Sequence, residues 1–205
     1  MWLRALAIAA VLLAWVVVRR SMRLPVRHPW LVAIVLGAAS AVASDASDLQ
    51  RSAARAHVLF TLAALLGFGC VFMLGEGLRR EVGGAPPSRR RIAVVVAVCA
   101  ITALACGFLP PPRDRIVADI GGATFLLNLL DPLLAAPQRV GSWLLGIGIV
   151  AYALIRTVLV MARLHGGDVV GLEHVLDSGV IVVLGAGLVA FVLESAAARK
   201  TPRAR

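Results

Sequence analysis

The sequence predicts an all-α, polytopic transmembrane helix bundle, and three observations carry that reading. The 205 residues are 60% hydrophobic, 16% charged and have a mean hydropathy of +0.90, whereas soluble domains hold ~45–50% apolar and about 25% charged residues. The apolar residues gather into long runs and do not alternate with polar ones as a half-buried strand or amphipathic helix requires. At 1.5 Å per residue the runs extend roughly 24 to 36 Å, against a hydrocarbon core about 30 Å thick. Inside a bilayer every backbone N–H and C=O must be bonded within the protein, which leaves helices or a closed barrel, and a barrel would show alternating segments of about ten residues.

The first run, Trp2 to Val18, begins beside Arg4 and ends on Arg19 and Arg20 with no small-residue cleavage site, so it reads as a retained signal anchor. Pro29 to Ser44 and His57 to Gly75 follow, then Ile92 to Leu109, Gly141 to Met161 and Val169 to Leu193. The spans are thus placed near residues 2–18, 29–44, 57–75, 92–109, 141–161 and 169–193, with a basic tail at 196–205. Trp2, Trp30 and Trp143 fall at helix ends, where indoles anchor in the interface. Gly67, Gly69, Gly75, Gly146, Gly148, Gly185 and Gly187 are expected where helices approach closely.

Six spans do not satisfy the charge pattern. The net charge is +10, and of the 21 basic residues all but Lys200 are arginine, a usage that reads as a GC-rich bacterial genome. Three clusters dominate: Arg19, Arg20, Arg23 and Arg27; Arg79, Arg80, Arg89, Arg90 and Arg91; and Arg199, Lys200, Arg203 and Arg205. Short Arg-rich loops resist translocation, so all three belong on the cytoplasmic side. An even number of crossings would put the tail opposite the first and third loops. The missing span is Ile116 to Ala136, which is mostly apolar but contains Asp119, Asn128, Asp131 and Pro132. Counting it leaves Arg4, Arg51, Arg55, Arg113, Arg115 and Arg163 outside, together with the N-terminus. The alternative, an interfacial or re-entrant segment, avoids an insertion cost of about 2.5–3.5 kcal/mol per central Asp. Its polar residues nevertheless scatter around roughly half the helix circumference, a poor stripe for a surface helix. Seven spans in a bacterial cytoplasmic membrane is the reading adopted, and nucleic-acid binding is not needed to explain the arginines.

The loops leave no room for a separate soluble domain. Gly83, Gly84, Pro86 and Pro87 make the third loop a helix-breaking basic turn, and Pro110-Pro111-Pro112 stiffens the exit of the fourth helix. No internal repeat of the kind that builds many transporters is visible. The order of an Arg19-Arg20 end to the first helix, a Pro-containing basic linker, a second helix, an Ala/Leu-rich third helix entered through Ala56-His57 and another Arg-rich turn resembles an actinobacterial family of seven-helix membrane proteins of unassigned role. The resemblance covers the first 160 or so residues and implies seven spans and no activity.

Ionisable groups within spans are costly and persist when paired or functional. Arg156 and Asp177 lie at similar depths, roughly 8–9 Å from one membrane face, on two antiparallel helices joined by a short turn, so they can pair. Glu173 and Asp177 are spaced to share a face, with His174 beside Asp177. Arg156, Glu173, His174 and Asp177 form the candidate intramembrane polar cluster, readable either as a lock between two helices or as a proton or ion site. His57 and Glu76 are read as interfacial, and Asp45 and Asp48 as solvated loop residues. Asp131-Pro132 could break its helix and offer carbonyls to an ion.

No HExxH, GxSxG, GxGxxG or P-loop occurs, so no catalytic residue or cofactor is assigned. Cys70, Cys99 and Cys106 lie in apolar runs without metal-ligand spacing and read as buried thiols. The expected role is a non-enzymatic membrane partner, signalling or scaffold component, with basic loops facing anionic lipid, a protein partner or a second copy. The alternative is a small transporter or channel working through Arg156 and Asp177.

Overall fold

The computed structural model describes residues 2–22, 28–81, 88–110, 113–127, 129–134, 140–167 and 169–200. Among these residues every regular element is helical: α1 (Trp2–Met22), α2 (His28–Asp48), α3 (Ala53–Glu81), α4 (Arg89–Phe108), α5 (Arg113–Leu127), α6 (Leu130–Leu134), α7 (Val140–Leu164) and α8 (Val170–Lys200). The third-loop residues 82–87, Pro111, Pro112, Asn128 and Arg139 lie outside the described residues. Stretches within four helices, Pro29–Asp48, Ala53–Glu81, Val140–Leu164 and Gly171–Ala197, are each long and apolar enough to cross a membrane. α1 and α4 supply shorter apolar stretches, Leu6–Val18 and Ile92–Phe108.

The helices outrun the apolar runs, because a helix continues into the interface for as long as its backbone bonds are satisfied. α2 reaches Asp48, α3 starts at Ala53 and α7 extends to Leu164, so residues assigned to loops become the ends of helices. Ile116–Ala136 is not the single helix expected. α5 stops at Leu127, the Leu129 amide bonds back to the Leu126 carbonyl at 2.8 Å, and α6 follows. The break precedes Asp131-Pro132; Pro132 falls in the first turn of α6, where a missing N–H is tolerated. Together the two pieces still run the length of the bundle. Asp119 pairs with Arg163 near the C-terminal end of α7, while Leu129 packs on Gly75 towards the C-terminal end of α3.

α2 packs most extensively on α3 and α7 on α8, α1 lies against α8, and α5 sits between α4 and α7. The α7–α8 turn is set by Gly166 at φ 79°, the left-handed position that ends helices and favours glycine. Beside it the Gly167 amide bonds to the Ala162 carbonyl at 2.9 Å. At its other end α7 is capped across the bundle, where Glu194 accepts the Gly141 amide at 3.1 Å and places a negative charge at the helix N-terminus.

The two ends of the bundle differ in chemistry. Where α3 and α8 finish and α2 and α7 begin, Trp30, Leu78, Leu133, Leu145, Leu188 and Phe191 form a buried apolar plug. Trp30 is only 3% exposed, so it is a core residue and not the interfacial anchor expected; Trp143, 60% exposed, faces outward. Outward-facing apolar side chains run along α4, including Val94, Val96, Val98, Ile101 and Leu104. A continuous apolar exterior of this kind is unsuited to water and suited to lipid.

Of the glycines expected at close approaches, Gly146 has open space where a Cβ would stand, so it is not a packing position. Gly146→Ala should therefore be neutral or stabilise by up to about 1 kcal/mol through helix propensity, readable as an unchanged or raised melting temperature in detergent. All three cysteines are free; Cys106 is buried and Cys70 and Cys99 are partly exposed.

Candidate functional site: a buried charge network

Arg156 lies about 12 Å from the C-terminal end of α7 and Asp177 about 10 Å into α8, counted at 1.5 Å per residue. The turn at Gly166 folds these helices together, and the Arg156 guanidinium grips both oxygens of Asp177, Nη2 donating at 2.6 and 2.7 Å. Its other terminal nitrogen, Nη1, donates at 2.8 Å to Asp119 on α5 and at 2.8 Å to Glu173, one turn before Asp177. Arg163, two turns beyond Arg156 on the same face of α7, bonds the remaining oxygens of Asp119 and Glu173. Two guanidiniums and three carboxylates thus interlock α5, α7 and α8, and all five side chains are largely buried. The Arg156 guanidinium also lies over the Tyr152 ring, 4.8 Å from its centroid, a cation–π contact that offsets part of its desolvation.

Arg156, Glu173 and Asp177, expected from their spacing to cluster, are in contact. His174 does not join them. On a helix, neighbouring residues point about 100° apart, and His174 turns towards α2, its Nδ1 3.7 Å from Asp45 and its Nε2 3.5 Å from Asp48. Those two aspartates are therefore not loop residues; they lie in the last turn of α2 and face His174 of α8. Asp48 also holds Arg115 at the start of α5, and Arg115 stacks 5.6 Å from the Phe60 centroid.

His57, partly buried near the start of α3, has its Nε2 paired with the Gly107 carbonyl of α4 and its Nδ1 3.8 Å from Asp114. Glu76 is buried, at the opposite end, and accepts from Arg80 Nε at 2.7 Å one turn along α3. The side chains of Asp131 and Pro132 lie outside the described residues, and no cluster of His, Cys, Asp and Glu suited to a metal ion occurs among the described residues.

A cavity of about 270 Å³ opens beside the network, between α2, α3, α5, α7 and α8. Its polar wall carries Arg115, Asp119, Arg156, Glu173 and Asp177, while Ser40, Ser44, Ala64 and Phe68 form part of the opposite wall. Arg156 Nε is buried and has no hydrogen-bond partner, although the rest of its guanidinium is engaged. A buried orphan donor costs roughly 1–3 kcal/mol unless something accepts from it.

Compared with known protein families, curated proteins and solved structures, the chain matches none. Fold and site define a class: a polytopic transmembrane helix bundle whose helices are joined near one end by a buried arginine–carboxylate network.

Proposed function

We propose that the chain is a seven-crossing membrane protein that admits a small polar solute into the cavity beside Arg156. The observation that carries this is the cavity itself, about 270 Å³, with Arg115, Asp119, Arg156, Glu173 and Asp177 on its wall. Ionisable residues inside membrane spans mark solute or proton pathways when they face a cavity and line lipid-shielded locks when they do not. The buried apolar cluster around Trp30, Leu78 and Leu145 lies beyond it, a barrier to a polar solute that suits a site reached from one side at a time. The α5–α6 break supports the same reading, since interrupted helices are tolerated where backbone lines a cavity or is buried in protein.

In this proposal α5 and α6 jointly make the fifth crossing, the arginine-rich helix ends face the cytoplasm of a bacterial cell, and the charge network lies towards the outside. Anionic headgroups then meet the basic loops.

A second reading is favoured by one observation: all four terminal nitrogens of Arg156 and Arg163 are engaged by carboxylates. A network so satisfied can serve as a lock in a membrane partner or scaffold component, acting alone, with another protein or as an oligomer. The two readings separate at Ala64, on the cavity wall. In a chain with Cys70, Cys99 and Cys106 replaced by alanine, Ala64→Cys should react with a small cationic methanethiosulfonate reagent applied to one side of sealed vesicles. If it is inert from both sides while Gly167→Cys reacts, the cavity holds no water and the lock reading replaces the solute reading.

A further inference from the structure

A second cavity, about 180 Å³, lies behind the first, and its walls are almost wholly aliphatic. The two share Gly37, Cys70, Leu74, Leu126, Ile181 and Leu184, so one layer of side chains is common to both. The apolar cavity extends from that shared layer towards Trp30, Leu78 and Leu188 at the plug end. On its lipid side it is walled by Ile8 and Val11 of α1, a helix that leans on α8 and touches α2 only lightly. Each volume alone is below the ~300–1,000 Å³ of typical ligand sites, and taken together they fall within it.

The charges on the polar wall restrict what the head of a ligand can be. A simple cation would suit Asp119, Glu173 and Asp177 but would face Arg115 and Arg156 on the same wall. A simple anion would suit the two arginines but would face three carboxylates. A zwitterionic head suits both, its anionic group lying towards the arginines and its ammonium towards the carboxylates. The adjoining apolar cavity then receives a hydrocarbon tail. Resting on the solute reading above, we infer that the paired cavities bind a single-chain zwitterionic amphiphile drawn from the membrane, with its head at Arg156 and its tail directed under α1 towards Trp30.

The test uses the full chain purified in maltoside detergent and three probes: myristoyl lysophosphatidylethanolamine, its head alone as phosphoethanolamine, and its tail under a neutral head as monomyristoylglycerol. Apparent Kd values are read by native mass spectrometry. The lysolipid should bind at least about tenfold more tightly than either half. Ala38→Leu, which fills the apolar cavity, should weaken the lysolipid and leave phosphoethanolamine unchanged, while Arg156→Gln should weaken both probes that carry the zwitterionic head.

If phosphoethanolamine binds as well as the lysolipid and Ala38→Leu changes neither, the solute reading stands and the amphiphile is wrong. Equal binding of monomyristoylglycerol would mean that the tail alone is recognised and would overturn the zwitterion. If no probe binds, the amphiphile is refuted, and labelling at Ala64 decides the solute reading separately. The comparison of the three probes is made on the unsubstituted chain, so it holds even if Arg156→Gln does not fold.

Discussion

Replacing Arg156 by methionine should destabilise the bundle far more than replacing Asp177 by asparagine. The network holds Arg156 and Arg163 against Asp119, Glu173 and Asp177, one carboxylate in excess of the guanidiniums. Removing Arg156 raises the excess to two and leaves Asp177 without the partner that grips both its oxygens. Breaking a buried ion pair from one side costs about 3–5 kcal/mol in soluble proteins, because the remaining charge stays desolvated. Asp177→Asn instead removes the excess and keeps an acceptor for Arg156, so its cost should be nearer the ~1–3 kcal/mol of an impaired buried hydrogen bond. The double variant restores the original imbalance and should be more stable than Arg156→Met alone, a coupling that additive, independent sites would not show. Unfolding in mixed micelles of graded denaturing detergent measures all three. If Arg156→Met lies within about 0.5 kcal/mol of the parent, as a surface substitution would, the network does not hold the helices together.

The second large effect is expected where α7 and α8 cross backbone on backbone. A Cβ on Gly141 would meet the main chain of Phe191 and lie 2.8 Å from the Ala190 carbonyl carbon; on Gly187 it would lie 2.8 Å from the Leu145 nitrogen. Main-chain atoms have no rotamer to move into, so Gly141→Ala or Gly187→Ala must part the helices. Overpacking of this kind costs about 1–3 kcal/mol, and in a bilayer, where close packing does much of the work of helix association, little offsets it. Gly148, whose neighbours are the side chains of Leu184 and Val183, should tolerate alanine better. The contrast is read from the melting temperatures of the three variants in one detergent. A uniform response would mean that the crossing is not tight.

Helical class and the main spans were legible because lipid imposes a simple rule on composition and length. The pairing of Arg156 with Asp177 was legible too, since a short turn between antiparallel helices brings equal depths together. What the sequence hid follows from one physical cause: polar residues were assigned to loops where apolar runs stopped, whereas helices continue past them. Arg163 lies beyond Met161, where the run ends, yet α7 extends to Leu164 and carries it onto the face of Arg156. Its seven-residue spacing from Arg156 was the available signal. Asp45 and Asp48 stayed in α2 for the same reason and drew His174 away from the cluster. Asp119 reads as an insertion cost in the sequence, whereas in the structure it lies between two arginines that neutralise it. The break after Leu127 had a sequence mark in Pro132, which has no N–H to give and crowds the turn before it, so that α5 stops and Pro132 falls in the first turn of α6.

Seven crossings require the broken α5–α6 pair to complete one of them, and side-specific labelling tests this directly. In the cysteine-free chain, single reporters are placed at Ser88, before α4, at Gly167, in the α7–α8 turn, and at Ala197, near the end of α8. Each is challenged with an impermeant maleimide from either side of oriented vesicles. Ser88→Cys and Ala197→Cys should label from the cytoplasmic side and Gly167→Cys from the outside, which puts the charge network near the outer face. Labelling of Ser88→Cys and Gly167→Cys from one side and Ala197→Cys from the other would mean that α5 and α6 do not cross, and would rule out seven crossings.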